Sequence, residues 1–97
     1  MDSNYFKEKY IKSINSEDIN VALSGVVINK EDNSFVLDDG TSQILVYSNI
    51  ELNGDFVRVF GKINYNGEEP QLQAFIVQDL SKVDKFLYKK VKDLMYG

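Results

Sequence analysis

Two runs of β-branched and aromatic residues flank Asp39-Gly40 within the segment 34–47. An Asp-Gly pair between two such runs is the strongest short-range signal for a β-hairpin. A type I′ turn requires positive φ at both central residues, which glycine adopts freely and aspartate tolerates better than most residues. The segment therefore predicts two antiparallel strands joined by a tight turn, and the rest of the chain must supply their neighbours.

Glycines interrupt the strand patterns on either side of this hairpin. Gly25 lies within the run 21–28, and Gly61 lies within the run 55–63. A glycine inside a strand pattern usually marks a bulge or a sharp bend. With a last strand predicted over residues 71–79, we expect a mainly β chain whose five short strands coil into a small barrel.

The alternation of side chains assigns a face to each residue of these strands. The phase expected to point into the barrel comprises Phe35, Leu37, Ile44, Val46, Val57, Val59, Leu72, Ala74 and Ile76. The phase expected to point outward comprises Val36, Leu45, Tyr47, Phe56, Arg58, Phe60, Gln73, Phe75 and Val77. The aromatic residues of the outward phase make it the candidate binding surface.

The N-terminal residues carry a helical pattern. Phe6, Tyr10 and Ile14 recur every four residues, which predicts a short helix over residues 3–14 that packs this stripe over the barrel. A partner-binding arm and a disordered tail are the alternatives.

Residues 81–96 carry the clearest helical pattern, with Ser81 as N-cap and Asp84 completing a capping box. At 100° per residue the apolar side chains cover an arc of roughly 200°, about twice the width needed to dock on the helix's own domain. We therefore expect part of this arc to meet a partner, with the stem of Lys90 lying along the interface. The predicted partner-binding residues are Val83, Phe86, Leu87, Lys90, Val91, Leu94 and Met95.

Length and composition limit the chemistry. The 97 residues predict one domain, made of an N-terminal extension (1–19), a barrel (20–80) and a C-terminal assembly helix (81–97). The chain has no cysteine and no histidine, which excludes disulfides and thiolate catalysis and removes the commonest general base and metal ligands. Without a Gly-rich phosphate loop or an activated nucleophile, we expect no enzymatic activity, metal, cofactor or small-molecule substrate. No apolar run is long enough for a membrane span or a signal peptide, so we expect an intracellular protein without membrane contacts.

Charge is distributed unevenly along the chain. Residues 20–80 hold nine acidic and three basic residues, a net charge of −6, whereas residues 81–97 have a net charge of +3. Contacts with phosphates supply most of the non-specific affinity for nucleic acid. The barrel is therefore expected to bind single strands only weakly by itself.

Three motifs run through residues 20–80. They are Val21-x-Leu-x-Gly25-x-Val, then Phe35-x-Leu-x-Asp-Gly-Thr41-x-x-Ile44-x-Val46, and then Gly54-Asp-x-Val-x-Val-x-Gly61-x-Ile63. They resemble the OB-fold nucleic-acid-binding domains, and most closely the middle and small subunits of replication protein A and its archaeal counterparts. The resemblance implies a five-stranded Greek-key barrel in a single-stranded DNA-binding complex of DNA replication and repair. It also implies that the C-terminal helix joins another OB-fold subunit or a second copy of the chain. The expected location is the cytoplasm, in association with the nucleoid, in a prokaryote, and the nucleus in a eukaryote.

An OB-fold binds single strands on its outer face through aromatic platforms and cations. The candidate residues of this kind are Tyr47, Arg58, Phe60, Lys62 and Phe75. Phe60 and Phe75 have a structural alternative, which is packing beneath the terminal helices. A scaffold that contacts only proteins and an RNA-binding domain are the alternative functions.

Overall fold

The computed structural model describes residues 5–96. They form six strands and one α-helix: β1 (Lys7–Glu8), β2 (Asn20–Ile28), β3 (Ser34–Asp38), β4 (Gln43–Tyr47), β5 (Phe56–Asn66), β6 (Glu69–Asp79) and α1 (Lys85–Tyr96). The chain is mainly β with a C-terminal helix, as predicted, but the described residues contain six strands rather than five. The helix α1 is too short and too polar to cross a membrane.

The five longer strands pair in a ring. The order along the sheet is β1-β2-β3-β4-β6-β5, and β5 pairs with β2 as well. The β4–β6 pair is parallel, and the other pairs within the ring are antiparallel. The short β1 lies outside the ring and runs parallel to β2. We refer to β2–β6 as the strand ring.

The interior of the strand ring is apolar. Its buried side chains come from all five strands and from a 3-10 turn at Ile11–Ser13: Ile11, Val21, Leu23, Phe35, Leu37, Ile44, Val46, Val57, Val59, Ile63, Leu72 and Ala74. The inward phase predicted for β3, β4 and the first half of β5 is therefore confirmed.

Val59 allows the most direct test of this interior, because its side chain is fully buried. Val59→Ala removes two methyl groups and leaves a cavity, so we expect the free energy of unfolding to fall by about 1–3 kcal/mol. Val83 is a matched control, since it is 41% exposed, and Val83→Ala should cost less than about 0.5 kcal/mol. Urea denaturation measures both values. Equal losses at the two positions would show that the interior assignment of β5 is wrong.

The phase predicted for β6 is wrong beyond Phe75. The register between β5 and β6 shifts between Phe60 and Gly61, so that Phe75 is an extra residue in β6. Such a bulge reverses the alternation of the residues after it. As a result Ile76, expected inside, is half exposed, and Val77, expected outside, packs against the core.

The two glycines within strands lie where neighbouring backbones approach each other closely. A Cβ atom on Gly25 would overlap with the carbonyl oxygen of Asp38, and one on Gly61 would overlap with that of Gln73. Any larger residue would push the strands apart, so the glycines allow the strands to bend around the core.

The β3–β4 hairpin is confirmed, but its turn is not of type I′. The loop spans four residues, and Gly40 has φ +87° whereas Asp39 does not have positive φ. Asp39 acts through its side chain instead: Oδ1 accepts hydrogen bonds from the backbone of Thr41 and Ser42, and Oδ2 accepts one from the backbone of Ile11. The carboxylate closes the loop and fixes the N-terminal segment to it, which is the behaviour of an Asx turn.

The predicted N-terminal helix over residues 3–14 is wrong for its described part, and residues 3 and 4 lie outside the described residues. Lys7–Glu8 extends along β2, opposite Val21 and Ala22. The 3-10 turn that follows buries Ile11. Pairing with a strand edge satisfies the backbone and outweighs a weak local preference for helix.

The C-terminal helix starts at Lys85, four residues later than predicted. Asp84 is its cap, since Oδ1 accepts hydrogen bonds from the backbone N–H groups of Phe86 and Leu87 at 2.9 and 3.1 Å. Ser81, the predicted cap, donates its backbone N–H to Asp79 Oδ1 instead, in the turn that leaves β6. The positive end of the helix dipole also stabilises a carboxylate at this position.

Candidate partner and nucleic-acid interface

The face of α1 that docks on the strand ring is aromatic and polar. The Tyr88 ring packs edge to face on Phe56, with 5.7 Å between ring centroids, and its hydroxyl accepts a hydrogen bond from Ser24 Oγ at 3.1 Å. Phe56 points out of the strand ring, but α1 covers it and it is buried. Lys92, one turn after Tyr88, is also buried. The helix therefore docks through the side opposite its apolar residues.

Three charged side chains meet beneath α1. Arg58 forms an ion pair with Glu8, and Lys92 Nζ lies 3.5 Å from Oε2 of the same carboxylate. Lys92 Nζ also donates to the carbonyl oxygen of Lys9 at 3.0 Å. Desolvation lowers the pKa of Lys92, and the charge of Glu8 opposes that shift. We call Glu8, Arg58 and Lys92 the charged cluster; it joins β1, β5 and α1.

Tyr10 attaches the N-terminal segment to α1 a second time. Its hydroxyl donates a hydrogen bond to Asp93, and Lys92 Nζ lies 4.6 Å from the centre of its ring. Desolvation, together with the hydrogen bond to Asp93 and the charge of that residue, raises the pKa of Tyr10 to about 12. Tyr10 is therefore neutral at physiological pH and remains a donor to Asp93.

The apolar side chains of α1 point into solvent. Phe86 is 88% exposed and Leu94 is 81% exposed. Every predicted partner-binding residue is exposed in the same way: Val83, Phe86, Leu87, Lys90, Val91, Leu94 and Met95. Part of the apolar arc was expected to dock on the strand ring. In the structure, none of the most apolar side chains of the helix covers the strand ring. We call these seven residues, of which Val83 lies just before the helix, the apolar face of α1.

Two of the five predicted nucleic-acid-binding residues lie in one row across the sheet. Tyr47 on β4 pairs with Gln73 on β6, and Gln73 pairs with Lys62 on β5. All three side chains are exposed. Residues that pair across strands share a face, so an aromatic ring and a cation flank an amide on the outer surface. We call Tyr47, Gln73 and Lys62 the polar row.

The other three predicted residues form a separate group that the N-terminal segment covers in part. Phe6 packs edge to face on Phe60 and Phe75, with ring centroids 5.4 and 6.3 Å apart. Arg58 is paired with Glu8, and its guanidinium lies 4.9 Å from the centre of the Phe60 ring. These side chains have intramolecular partners, but the partner of Phe60 and Phe75 is Phe6 of the N-terminal segment rather than a terminal helix.

The loops around the outer face are acidic. The β2–β3 loop carries Glu31 and Asp32, and the β5–β6 turn carries Glu68 beside Glu69. Carboxylates at these positions repel phosphates rather than bind them. No cluster of three carboxylates that could hold a metal ion occurs within residues 5–96.

The residues that hold α1 in place could not be assigned from the sequence. Glu8 and Lys92 come from opposite ends of the chain, and no spacing relates them. Lys92 belongs to a lysine-rich segment that is typical of a solvated surface. The width of the apolar arc predicted that part of the arc would dock on the strand ring, and it gave no sign that the opposite side would dock instead.

Comparison with known proteins identifies the fold. The sequence matches no family model and no curated protein. The telomere capping protein Ten1 from Saccharomyces pombe superimposes with a TM-score of 0.72 at 15% identity, over 92% of this chain and 95% of that one. A chain of the S. pombe Stn1-ten1 complex also gives 0.72, at 14% identity over 92% and 90% of the two chains. The hypothetical protein ygiW from E. coli gives 0.60 at 19% identity, over 76% and 90%. The chain therefore has an OB-fold, with β1 and α1 added to its five longer strands.

Proposed function

We propose that this chain is an accessory subunit of a single-stranded DNA-binding complex resembling replication protein A. It assembles with another OB-fold subunit through the apolar face of α1, and it contributes only weak contacts to the DNA. The observation that carries the proposal is the orientation of α1, whose large apolar side chains face solvent while a tyrosine and a lysine face the protein.

An exposed apolar helix face of this size needs an occupant. Soluble proteins that function alone seldom leave contiguous large apolar side chains in water, and such patches usually mark interfaces. The +3 charge of residues 81–97 adds a preference for a partner with acidic flanks. That preference favours a different protein over a second copy of the chain, because two copies of α1 would bring like charges together.

The structural neighbours support the proposal that this chain is a subunit of a complex. One of them is a telomere capping protein and another comes from a complex with two named components. The proposal therefore includes chromosome-end capping beside replication and repair as the process that the complex serves.

The partner can be identified by purifying the full-length tagged chain from its native cells and analysing co-purifying proteins by mass spectrometry. We expect a stoichiometric protein that itself contains an OB-fold. A chain that sediments as a monomer at high concentration and co-purifies with no such protein would contradict the proposed assembly.

We expect the isolated chain to bind short single-stranded DNA only weakly at physiological salt. Within residues 5–96 the polar row offers one cation, Lys62, and the nearby loops are acidic. The plot of log affinity against log salt concentration should therefore be shallow, corresponding to roughly one to three phosphate contacts. Fluorescence anisotropy over a salt series measures both quantities. Nanomolar affinity under these conditions would contradict this electrostatic reasoning.

Where weak binding is observed, Tyr47→Ala should remove most of it. Stacking of a base on an aromatic ring contributes about 1–3 kcal/mol, and it does so for every base. Tyr47→Phe keeps the ring and should bind like the wild type, for any oligonucleotide sequence. Equal affinity of Tyr47→Ala and the wild type would place the contact elsewhere, outside the polar row.

A second candidate function is a scaffold that contacts only proteins. It is favoured by the intramolecular contacts of Arg58 with Glu8 and of Phe60 with Phe6, since these are two of the five residues expected to bind DNA. Phe75 also contacts Phe6 but is 49% exposed. The two candidates share the apolar face of α1 and differ at the polar row. Complete absence of DNA binding by the assembled complex, with the partner's own DNA surface removed, would favour the scaffold.

A further inference from the structure

A cavity of about 370 Å³ lies between the inner side of α1 and the outer surface of β2. Its apolar part is formed by Val26, Ile28, Phe56 and the ring of Tyr88, with the backbone of Gly25 between them. We call it the helix cavity. Cavities of this volume accept a large side chain or a small ligand.

The acidic residues at the rim of the helix cavity are already engaged. Asp39 accepts hydrogen bonds at both carboxylate oxygens, within the β3–β4 turn and from the backbone of Ile11. Asp38 accepts one from the backbone of Gly40 and one from the side chain of Gln43. Both carboxylates line the cavity at the β3–β4 turn, and these hydrogen bonds hold them within the hairpin, so an acidic ligand must bind on the α1 side of the cavity.

The basic residues at the rim are available. Lys85 makes no ion pair with a carboxylate of residues 5–96, and its Nζ lies 5.7 Å from the centre of the Phe56 ring. Lys89 meets Asp93 at 3.8 Å, but both side chains are at least half exposed, and a pair of this kind contributes little and exchanges readily. The helix cavity thus combines an apolar interior with two ammonium groups one helical turn apart at its mouth.

We propose that the helix cavity binds an acidic segment of a partner protein, with a large apolar side chain inside and flanking carboxylates on Lys85 and Lys89. A nucleotide fits less well, because the polar edge of a base would be desolvated against Val26, Ile28 and Phe56. The Ser24 and Tyr88 hydroxyls of the lining already bond to each other. The cavity lies on the opposite side of α1 from its apolar face. The inference therefore does not rest on the function proposed above, and its outcome is measured separately.

The test is a titration of the ¹⁵N-labelled full-length chain with acetyl-Asp-Phe-Asp-amide, followed by NMR. We expect shifts of the backbone amides around the helix cavity, at Gly25, Lys85 and Lys89. Acetyl-Asn-Phe-Asn-amide lacks the charges and acetyl-Asp-Ala-Asp-amide lacks the ring, and each should bind at least about tenfold more weakly. Equal affinity for all three peptides would overturn the proposal, as would binding of thymidine monophosphate in preference to the first peptide.

Matched variants locate the site. Lys85→Gln with Lys89→Gln should weaken binding of acetyl-Asp-Phe-Asp-amide about tenfold or more, because it removes both rim charges. Lys30→Gln with Lys82→Gln removes the same charge at exposed positions outside the cavity, and its affinity should equal that of the wild type. Val26→Phe keeps all the lysines but fills the cavity, and it should also prevent binding. Unchanged affinity in Val26→Phe, or equal losses in the two lysine pairs, would show that the peptide binds elsewhere.

Discussion

Leu87→Glu combined with Leu94→Glu is expected to abolish assembly of this chain with the proposed OB-fold partner while leaving its fold intact. Leu87 and Leu94 lie two turns apart on the apolar face of α1, and both are more than half exposed. Two carboxylates at these positions would be desolvated in any helix–helix interface, and unpaired charges there cost several kcal/mol. Neither side chain contacts the interior of the strand ring, so β-sheet circular dichroism and the melting temperature of the isolated chain should not change.

The measurement is co-purification of the OB-fold partner with the tagged double variant. Ser16→Glu with Asn49→Glu is the matched control, because it adds the same two charges at exposed loop positions. The control should retain the partner at wild-type stoichiometry. A double variant that still holds its partner would place the interface away from the apolar face of α1.

Glu8→Gln is expected to destabilise the folded chain strongly, because Glu8 is a buried carboxylate. The substitution keeps the size of the side chain but leaves the buried Lys92 without its counter-charge. Breaking a buried ion pair by neutralising one partner commonly costs 3–5 kcal/mol, and we expect about 3 kcal/mol because the Arg58 side chain is 31% exposed. The pKa of Lys92, already lowered by desolvation, should fall further because Glu8 holds it up.

Two measurements check this expectation. Urea denaturation gives the change in free energy of unfolding, and hydrogen exchange of the α1 amides reports whether the helix opens more often. Glu17→Gln is the control, since Glu17 is exposed and its neutralisation should change stability by less than about 0.5 kcal/mol. Equal stability of Glu8→Gln and Glu17→Gln would mean that the charged cluster does not hold α1 in place.

The strands that could be predicted are those in which the alternation of apolar residues in the sequence matches the burial of their side chains. Leu37 and Ile44 alternate with polar or half-buried neighbours, and the hairpin that joins their strands forms as expected. The alternation fails after Phe75 because a single extra residue in β6 reverses it, and no feature of the sequence marks that residue. The N-terminal segment was misassigned because its conformation is set by pairing with β2, a partner that local spacing does not show.

The candidate interface was predictable on one side only. The width of the apolar arc follows from the helical period, so it could be anticipated that Phe86 and Leu94 do not pack on the strand ring. The inner side could not be anticipated, since a buried lysine is uncommon and becomes acceptable only with a counter-charge nearby. That counter-charge, Glu8, comes from the other end of the chain.

The orientation of α1 also bears on how much of this protein a cell contains. In the proposed complex, a copy that has not yet met its partner displays Phe86 and Leu94 to every chaperone and protease it encounters. A bound partner stabilises the folded chain, and a stability difference of about 1–2 kcal/mol changes steady-state abundance several-fold through chaperones and proteases. We therefore expect the amount of this chain to follow the amount of its partner, with surplus copies turned over rapidly, so that the two subunits remain in balance without matched synthesis.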